Sequence, residues 1–288
     1  MAPPVPMRAR WRRLRFGLAT VLGIAPRGFF IPCRHAGAVA DPVGENAYPA
    51  LAPLFEGARG RMEALLGAID GYAAELRAIG GDPPPAPRWD QAWFPPLDAA
   101  AAYALVRTRK PSRIVEVGGG HSTRFLARAA ADGGLATAIA TIDPAPRALL
   151  PAGVAHIAAP LQAAPDAAAG LGPGDMLFID SSHILMPGSD VDLALSRLWP
   201  RLSPGVLVHF HDIFLPDGYP ASWRWRGYNE QSGVAALLAG GAAAVIFASH
   251  FAATRMADRL GRTVVASLPR HPAAIDASLW LEKKAGPG

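Results

Sequence analysis

The chain has 288 residues, a length that suits one large domain or one domain with an appendage. Apolar residues make up 51% of the sequence and charged residues 18%, which is ample for a packed core. The net charge of +5 is matched by five arginines within residues 7–15, so a basic nucleic-acid groove over the rest of the chain is not expected, and the single cysteine, Cys33, excludes a disulfide framework and CxxC-type metal sites.

The first 50 residues are rich in proline and glycine and are predicted to be irregular. Their basic stretch is followed by FGLATVLGIA at residues 16–25, which is too short to span a bilayer. Because no clear small-residue cleavage site follows, an amphipathic or docking segment is favoured over a signal peptide. The arginines would contact anionic lipid or RNA, or would form a solvated terminus. No other stretch has the length and apolar character of a transmembrane segment.

Apolar residues recur at helical spacing between Leu51 and Ile79, which predicts one long amphipathic helix or two short ones. The sequence GGDPPPAP at residues 80–87 ends this pattern and forms a stiff linker. Residues 1–87 are therefore predicted to be an N-terminal helical appendage, and residues 88–288 the main domain. The appendage would serve as a lid or as the surface of a homodimer, or would simply pack as a helix.

From Trp89 onward, helical and strand patterns alternate, which predicts a parallel sheet covered by helices on both faces. Asp98 is predicted to cap one helix and Ser122 the next, which ends at Gly133. Ser189 begins a third helix with a capping-box pattern, and a further helix is predicted over residues 233–238. Strands are predicted at residues 113–117, 136–143, 154–159, 175–180, 206–212, 243–249 and 277–284.

Polar residues recur where the predicted strands end, although the strand interiors are apolar. Glu116 and three glycines close the first strand, Asp143 the second, Asp180 the fourth, and His211 with Asp212 the fifth. In parallel sheets, ligands bind beyond the carboxyl ends of the strands. The sequence therefore predicts a binding site at this edge.

The loop EVGGGHST lies between a strand and a helix, where glycines let the backbone turn tightly and approach a ligand. Gly118, Gly119 and Gly120 do not complete the GxGxxG spacing of a dinucleotide site, because the third glycine is missing. An NAD(P)-dependent oxidoreductase is thus a weaker interpretation. A non-catalytic binding module on the same sheet is a second alternative, which the acids at successive strand ends disfavour.

These motifs, taken in order, resemble those of class I S-adenosylmethionine-dependent methyltransferases. The resemblance covers residues 98–288 and implies a Rossmann-like, mostly parallel seven-stranded α/β sheet with helices on both faces and an antiparallel last strand. It also implies that Asp143 binds the ribose hydroxyls, that Glu116 lies beneath the glycine loop, and that Leu161 and Gln162 lie near the adenine. The implied cofactor-binding residues are Glu116, Gly118, Gly119, Gly120, Ser122, Asp143 and Asp180.

Asp180 with His211 and Asp212 is placed like the metal ligands of the metal-dependent small-molecule O-methyltransferase branch. Such a cation binds the acceptor hydroxyl and lowers its pKa. The implied cofactors are S-adenosylmethionine and a divalent cation, Mg²⁺, Mn²⁺ or Fe²⁺, although an imidazole ligand suits Mg²⁺ poorly. Metal-free use of Asp180, His183 and His211 in catalysis, with an imidazole as base, and a purely structural role stay open.

Strand alternation predicts that His209 and His211 share one face and Asp212 the other, with His209 buried. The long loop at residues 215–231 carries Trp223, Trp225, Tyr228, Arg224 and Arg226 and is predicted to contact the acceptor or to pack over the sheet edge. The overall expectation is a cytoplasmic methyltransferase that modifies an oxygen atom of a small molecule.

Overall fold

The computed structural model describes residues 7–38 and 44–285. The rest of the predicted irregular start, residues 1–6 and 39–43, lies outside the described residues, as do residues 286–288 of the main domain. Within the described ranges, no helix combines the length and the apolar character needed to cross a membrane.

Eleven α-helices and seven strands are the main elements of the described part of the chain. The helices are α1 (Met7–Val21), α2 (Ala52–Glu56), α3 (Arg59–Gly71), α4 (Ala73–Ala78), α5 (Pro96–Arg109), α6 (His121–Asp132), α7 (Asp190–Leu193), α8 (Trp199–Arg201), α9 (Glu230–Ala239), α10 (Ser249–Arg255) and α11 (Ala257–Leu260). The strands are β1 (Arg113–Val117), β2 (Ala138–Ile142), β3 (Ala155–Ile157), β4 (Met176–Ile179), β5 (Leu207–Phe210), β6 (Ala243–Ala248) and β7 (Leu279–Lys283). A π-helical turn, Ala194–Leu198, joins α7 to α8.

The strands form one sheet in the order β3-β2-β1-β4-β5-β7-β6, in which β7 runs antiparallel to both of its neighbours. All other pairs are parallel. Strands β1, β4 and β5 are short and almost completely buried, which suits a sheet covered on both faces. This arrangement confirms the predicted mostly parallel seven-stranded sheet. Since β2, β1, β4 and β5 are parallel neighbours, their carboxyl ends lie side by side at one edge.

The N-terminal segment is more helical than predicted. Residues 7–21 form α1, a helix of 15 residues with no buried side chain, where an irregular chain was expected. The pattern between Leu51 and Ile79 forms three helices, α2 to α4, interrupted at Gly57–Ala58 and at Tyr72. Their apolar side chains join the same hydrophobic core as the sheet. A boundary at residue 87 between appendage and main domain stays a prediction.

Two of the predicted helix caps are wrong. Pro95 and Pro96 begin α5, so Asp98 lies inside its first turn, where it is fully buried and accepts hydrogen bonds from the backbone N–H groups of Ala277 and Ser278 at 3.1 Å. Helix α6 begins after Gly120, which makes Ser122 its second residue rather than its cap. Ser189 does cap its helix, because its side chain accepts a hydrogen bond from the backbone of Asp192.

Candidate active site

The glycine loop between β1 and α6 leaves no room for side chains. Gly118 has a φ of +90°, and a β-carbon there would lie 1.7 Å from the carbonyl oxygen of Asp180. A β-carbon on Gly119 would lie 2.6 Å from the hydroxyl oxygen of Thr141. Glycine is therefore required at both positions, because the backbone passes directly over the ends of β2 and β4.

Glu116 lies under the loop, fully buried within β1. It accepts hydrogen bonds from the hydroxyls of Ser122, at 2.6 Å, and Thr123, both in the first turn of α6. Burial raises the pKa of Glu116 to about 7, and the hydroxyl donors oppose this shift. The carboxyl group thus fixes the start of α6. It does not line the cavity that lies above the glycine loop.

Asp143 lies one residue beyond β2 and faces the glycine loop. Its Oδ2 accepts a hydrogen bond from the backbone N–H of Gly119 at 2.8 Å, and its Oδ1 accepts one from Ala145 at 2.7 Å. Leu161 and Gln162, expected near an adenine, do not line the same cavity, and the Gln162 amide donates instead to the carbonyl of Gly188.

Two carboxylates and two imidazoles meet at the ends of β4 and β5, and we call Asp180, His183, His211 and Asp212 the Asp–His cluster. Nε2 of His183 lies 3.4 Å from Asp180 and 3.5 Å from Asp212. Nδ1 of His211 lies 3.5 Å from Asp180 and 3.4 Å from Asp212. These separations exceed those of tight charge-assisted hydrogen bonds, about 2.7–2.9 Å, so the four side chains face one another without being locked together.

A buried carboxylate holds the far nitrogen of each imidazole. Nδ1 of His183 lies 2.9 Å from Oε2 of Glu230, and Nε2 of His211 lies 3.3 Å from Oδ2 of Asp98. Both carboxylates are fully buried. Each imidazole is therefore oriented by a carboxylate on the side away from the cluster centre, and its other nitrogen is turned toward Asp180 and Asp212.

The cluster shifts the pKa values of its members strongly. Burial alone would lower the pKa of His183 and His211, but the surrounding carboxylates outweigh it and raise both pKa values well above the ordinary range. Burial would likewise raise the pKa of Asp180, and the two imidazoles reverse this and hold it well below its usual value. The site therefore favours charge-separated imidazolium and carboxylate groups when no ligand is bound.

The predicted orientation of Asp212 is wrong, whereas that of His209 is right. Strand β5 ends at Phe210, and Asp212 has a φ of +55°, so its carboxylate turns back toward His211 instead of facing the opposite side of the sheet. His183 has a φ of +60°, so both residues adopt the left-handed region that side chains disfavour. His209 is fully buried, and its Nε2 lies 2.8 Å from the Ser278 hydroxyl.

One cavity of about 330 Å³ joins the glycine loop to the Asp–His cluster. Its floor is formed by the ends of β2, β1, β4 and β5, and its walls come from four loop segments, at residues 92–94, 147, 223–228 and 273–275. The lining residues are Ala92, Trp93, Phe94, Gly118, Gly119, Gly120, His121, Ser122, Asp143, Arg147, Asp180, His183, His211, Asp212, Trp223, Arg226, Tyr228, Ala273 and Ile275. Such a volume suits a small-molecule ligand.

The long loop after β5 contributes an aromatic and cationic wall. The Arg226 guanidinium lies 3.9 Å from the centre of the Trp223 ring and 3.9 Å from Oδ2 of Asp212. The Tyr228 ring packs against His183 at 4.6 Å between centres. Trp225, from the same loop, does not line the cavity.

The chemistry of the cluster suits a divalent transition metal, but its geometry is not that of a formed ligand shell. Two carboxylates and two imidazole nitrogens are available, each imidazole backed by an outer carboxylate, a common arrangement around bound metals. In residues 7–38 and 44–285, however, no three His, Cys, Asp or Glu side chains are already arranged to hold a metal ion. Binding would require these side chains to draw together.

Residues 115–213, which contain the glycine loop and the whole Asp–His cluster, match a family model described as a methyltransferase domain. Over these residues the chain is similar to methyltransferase domains, as the resemblance to class I S-adenosylmethionine-dependent methyltransferases implies. The matched segment runs from β1 through β5, the strands whose ends form the cavity floor.

Comparison with solved structures gives distant likenesses, which carry no argument about the site. The Podospora anserina methyltransferase PaMTH1, bound to S-adenosylhomocysteine, is 17% identical over 90% of this chain and 100% of its own, with a TM-score of 0.43. MycE of the mycinamycin pathway, in complex with Mg, S-adenosylhomocysteine and mycinamycin VI, is 14% identical over 75% of this chain and 54% of its own, with a TM-score of 0.42. A search of curated proteins finds no match to the chain.

Two carboxylates of the site, Asp98 and Glu230, are not identified as site residues by the sequence. The prediction of a helix cap at Asp98 overlooks the preceding proline pair, which places Asp98 inside the helix. Glu230 begins α9, three residues before the predicted start, and nothing in its local sequence marks it as a partner of His183. Both pairings join residues far apart in the chain, so no local pattern encodes them.

Proposed function

We propose that this chain transfers the methyl group of S-adenosylmethionine to an oxygen atom of a small molecule. The observation that carries the proposal is the single cavity, in which the glycine loop and Asp143 face one end and the Asp–His cluster the other. A cofactor at the first end would direct its methyl group toward side chains able to position and deprotonate a hydroxyl.

The cofactor half of the proposal rests on Gly118, Gly119, Gly120 and Asp143. The bare loop allows a ligand to approach the backbone, and the start of α6 directs N–H groups into the cavity. Asp143 would accept hydrogen bonds from the ribose hydroxyls, which would compete with its present bond to Gly119. Ser122 and Glu116 would act indirectly, by fixing the first turn of α6.

The acceptor half of the proposal rests on the Asp–His cluster. During transfer the acceptor oxygen forms a bond to the methyl carbon, the carbon–sulfur bond breaks, and neutral S-adenosylhomocysteine leaves. The hydroxyl proton must go to a base, and His183 and His211 each turn one nitrogen toward the cavity centre. Because their raised pKa values favour imidazolium in the free site, either side chain must first release its own proton before it can act as that base. The wall of Trp223, Arg226 and Tyr228 suits a planar or acidic acceptor.

A divalent cation held by Asp180, Asp212, His211 and His183 would lower the pKa of the acceptor hydroxyl and fix its oxygen. Imidazole nitrogens favour Mn²⁺, Fe²⁺ or Zn²⁺ over Mg²⁺ at such a site. Glu230 and Asp98 would orient the two imidazoles as outer carboxylates. In the metal-free alternative, the same two carboxylates stabilise an imidazolium after it takes the proton.

Metal binding is tested by titrating the protein with Mn²⁺ and following the electron paramagnetic resonance signal of free Mn²⁺. We expect saturable binding that falls at least about tenfold in Asp180→Asn. Asp166→Asn is the matched control, since Asp166 is exposed and paired with Arg201 at the surface. Binding that is equal in Asp180→Asn and the wild type would contradict the metal site and favour the metal-free alternative.

The cofactor assignment is tested by calorimetric titration with S-adenosylhomocysteine and, separately, with NADH. We expect micromolar binding of S-adenosylhomocysteine and no measurable binding of NADH. Tight binding of NADH without S-adenosylhomocysteine would contradict the proposal and support a dinucleotide-dependent oxidoreductase. The cytoplasmic location and a homodimer stay predictions.

A further inference from the structure

Helix α1 displays a continuous apolar stripe that no part of the described chain covers. The stripe residues recur at spacings of four and three, so they lie within about 80° of the helix circumference. Each is at least half exposed. The members are Met7, Trp11, Leu14, Leu18 and Val21.

The opposite face of α1 is the one turned toward the protein. Ala9, Phe16 and Thr20 lie on that face and are partly buried, and the guanidinium of Arg13 lies 3.4 Å from the carbonyl oxygen of Trp225. The apolar stripe therefore points away from the protein body. This is the reverse of an ordinary surface helix, which turns its apolar face to the core.

Arginines border the stripe on both sides. Arg10 and Arg15 flank it, and Arg8, Arg12 and Arg13 lie further round the helix, which carries no acidic residue. Apolar side chains bordered by arginines match the interface of an anionic bilayer, where the chains enter the acyl region and the guanidinium groups meet lipid phosphates. Three apolar residues in the chain after α1, Phe29, Phe30 and Ile31, are also exposed.

We propose that α1 binds the surface of a membrane containing anionic lipid and lies in the plane of that surface. Fifteen residues of helix span about 22 Å, which is less than the roughly 30 Å of a bilayer core, and five arginines oppose insertion across it. This inference is independent of the methyl-transfer proposal, since none of these residues lines the active-site cavity.

Pairing of α1 with a second copy of itself is the main rival, because the same spacing suits a two-stranded coiled coil. Arg10 and Arg15 occupy the positions that flank the seam of such a pair. They would face arginines of the other copy in a parallel or an antiparallel arrangement, and like charges there are unfavourable. The arginines of α1 therefore favour binding to an anionic lipid surface over pairing with a second copy of the helix.

The test is co-sedimentation of the full chain with vesicles of phosphatidylcholine, with and without phosphatidylserine. We expect binding only to the anionic vesicles, weakened by added salt. Leu14→Ser with Leu18→Ser should reduce this binding at least about tenfold. Leu54→Ser with Leu149→Ser, which changes two exposed leucines elsewhere, is the matched control and should bind like the wild type.

Three results would overturn the proposal. The first is no sedimentation with anionic vesicles, and the second is undiminished sedimentation of the Leu14→Ser, Leu18→Ser variant. The third is a wild-type chain that does not bind lipid vesicles and forms a dimer, detected by light scattering, which the variant does not form. Unchanged affinity of the variant for S-adenosylhomocysteine would show that it is folded, so failure here is distinguishable from failure of the proposed function.

Discussion

The active-site cavity and helix α1 depart from the usual distribution of side chains in opposite ways. The cavity buries Asp98, Glu230 and two cluster histidines, which are normally solvated groups. Helix α1 exposes Trp11 and two leucines, which are normally packed. Each departure carries a free-energy cost in the free protein.

The difference lies in how each region offsets its cost. Around the cavity, the buried carboxylates of Asp98 and Glu230 each face an imidazole of the same chain, and Asp98 also accepts hydrogen bonds from backbone N–H groups, so these polar groups stabilise one another internally. Helix α1 has no such internal partner for its stripe within the described residues. The cavity is therefore organised before its ligands arrive, whereas α1 is completed only by a partner. Changes in the cavity should alter folding and binding, and changes in α1 should alter binding alone.

The largest effect is expected at the glycine loop. Gly118→Ala places a methyl group against the Asp180 carbonyl and at a φ of +90°, so we expect loss of S-adenosylhomocysteine binding and destabilisation by several kcal/mol. Gly174→Ala is the matched control, because its φ is +87° but the space around it is open. It should cost only about 1 kcal/mol. Thermal unfolding and calorimetry measure both variants, and equal effects would show that strain, not close approach, explains Gly118.

Asp143→Ala tests the proposed ribose partner. Removing a carboxylate that accepts hydrogen bonds from the ligand should weaken S-adenosylhomocysteine binding by about tenfold to a hundredfold. Asp166→Ala changes an exposed carboxylate away from the cavity and should leave the affinity unaltered. Calorimetric titration measures the affinity of each variant and of the wild type for S-adenosylhomocysteine. An unchanged affinity in Asp143→Ala would mean that the ribose binds elsewhere.

Glu116 should make stability depend on pH. Its folded-state pKa of about 7 lies above the value of 4.5 for an unperturbed carboxyl group. Between these values the folded chain keeps a proton that the unfolded chain releases, so the free energy of unfolding falls as pH rises through this window. Glu116→Gln cannot ionise, so its stability relative to the wild type should rise by up to about 3 kcal/mol between about pH 4.5 and 7.

The measurement is urea unfolding of Glu116→Gln and the wild type across this pH range. Glu63→Gln, at an exposed position of α3, controls for general effects of losing a carboxylate. A stability difference that stays constant with pH would show that Glu116 is ionised throughout in the folded state.

The smallest effect on stability is expected in α1. Leu14→Ser with Leu18→Ser removes side chains that are already exposed, so the free energy of unfolding should change by no more than about 0.5 kcal/mol. Urea unfolding without lipid tests this, with Leu54→Ser and Leu149→Ser as the reference. A loss of several kcal/mol would mean that the stripe packs against the chain, and the contrast between the two regions would fail.

The sheet was predictable from the sequence because its signals are local. Short segments rich in apolar residues, such as RIVEV and MLFI, are followed directly by a glycine or an acid, and apolar residues recur at helical spacing in the segments between them. The two wrong caps share a physical cause. In each case the polar side chain is used elsewhere. Asp98 accepts hydrogen bonds from the backbone of Ala277 and Ser278, and the Ser122 hydroxyl donates to Glu116, so neither side chain caps its helix.

The site was predictable only in part. Acids at the ends of neighbouring parallel strands must meet, so Asp143, Asp180 and His211 were expected together. The left-handed turn at Asp212 and the pairing of His183 with Glu230 depend on loop conformation and on contacts across the chain. No pattern of neighbouring residues specifies either. The functional roles of all these side chains stay predictions.

A crystal structure of the chain with S-adenosylhomocysteine would show whether one cavity joins the cofactor to the Asp–His cluster. We expect the ligand to lie in the cavity with its ribose hydroxyls at Asp143 and its sulfur facing the Asp–His cluster. A ligand bound outside this cavity, or one whose sulfur points away from Asp180, His183, His211 and Asp212, would contradict the account.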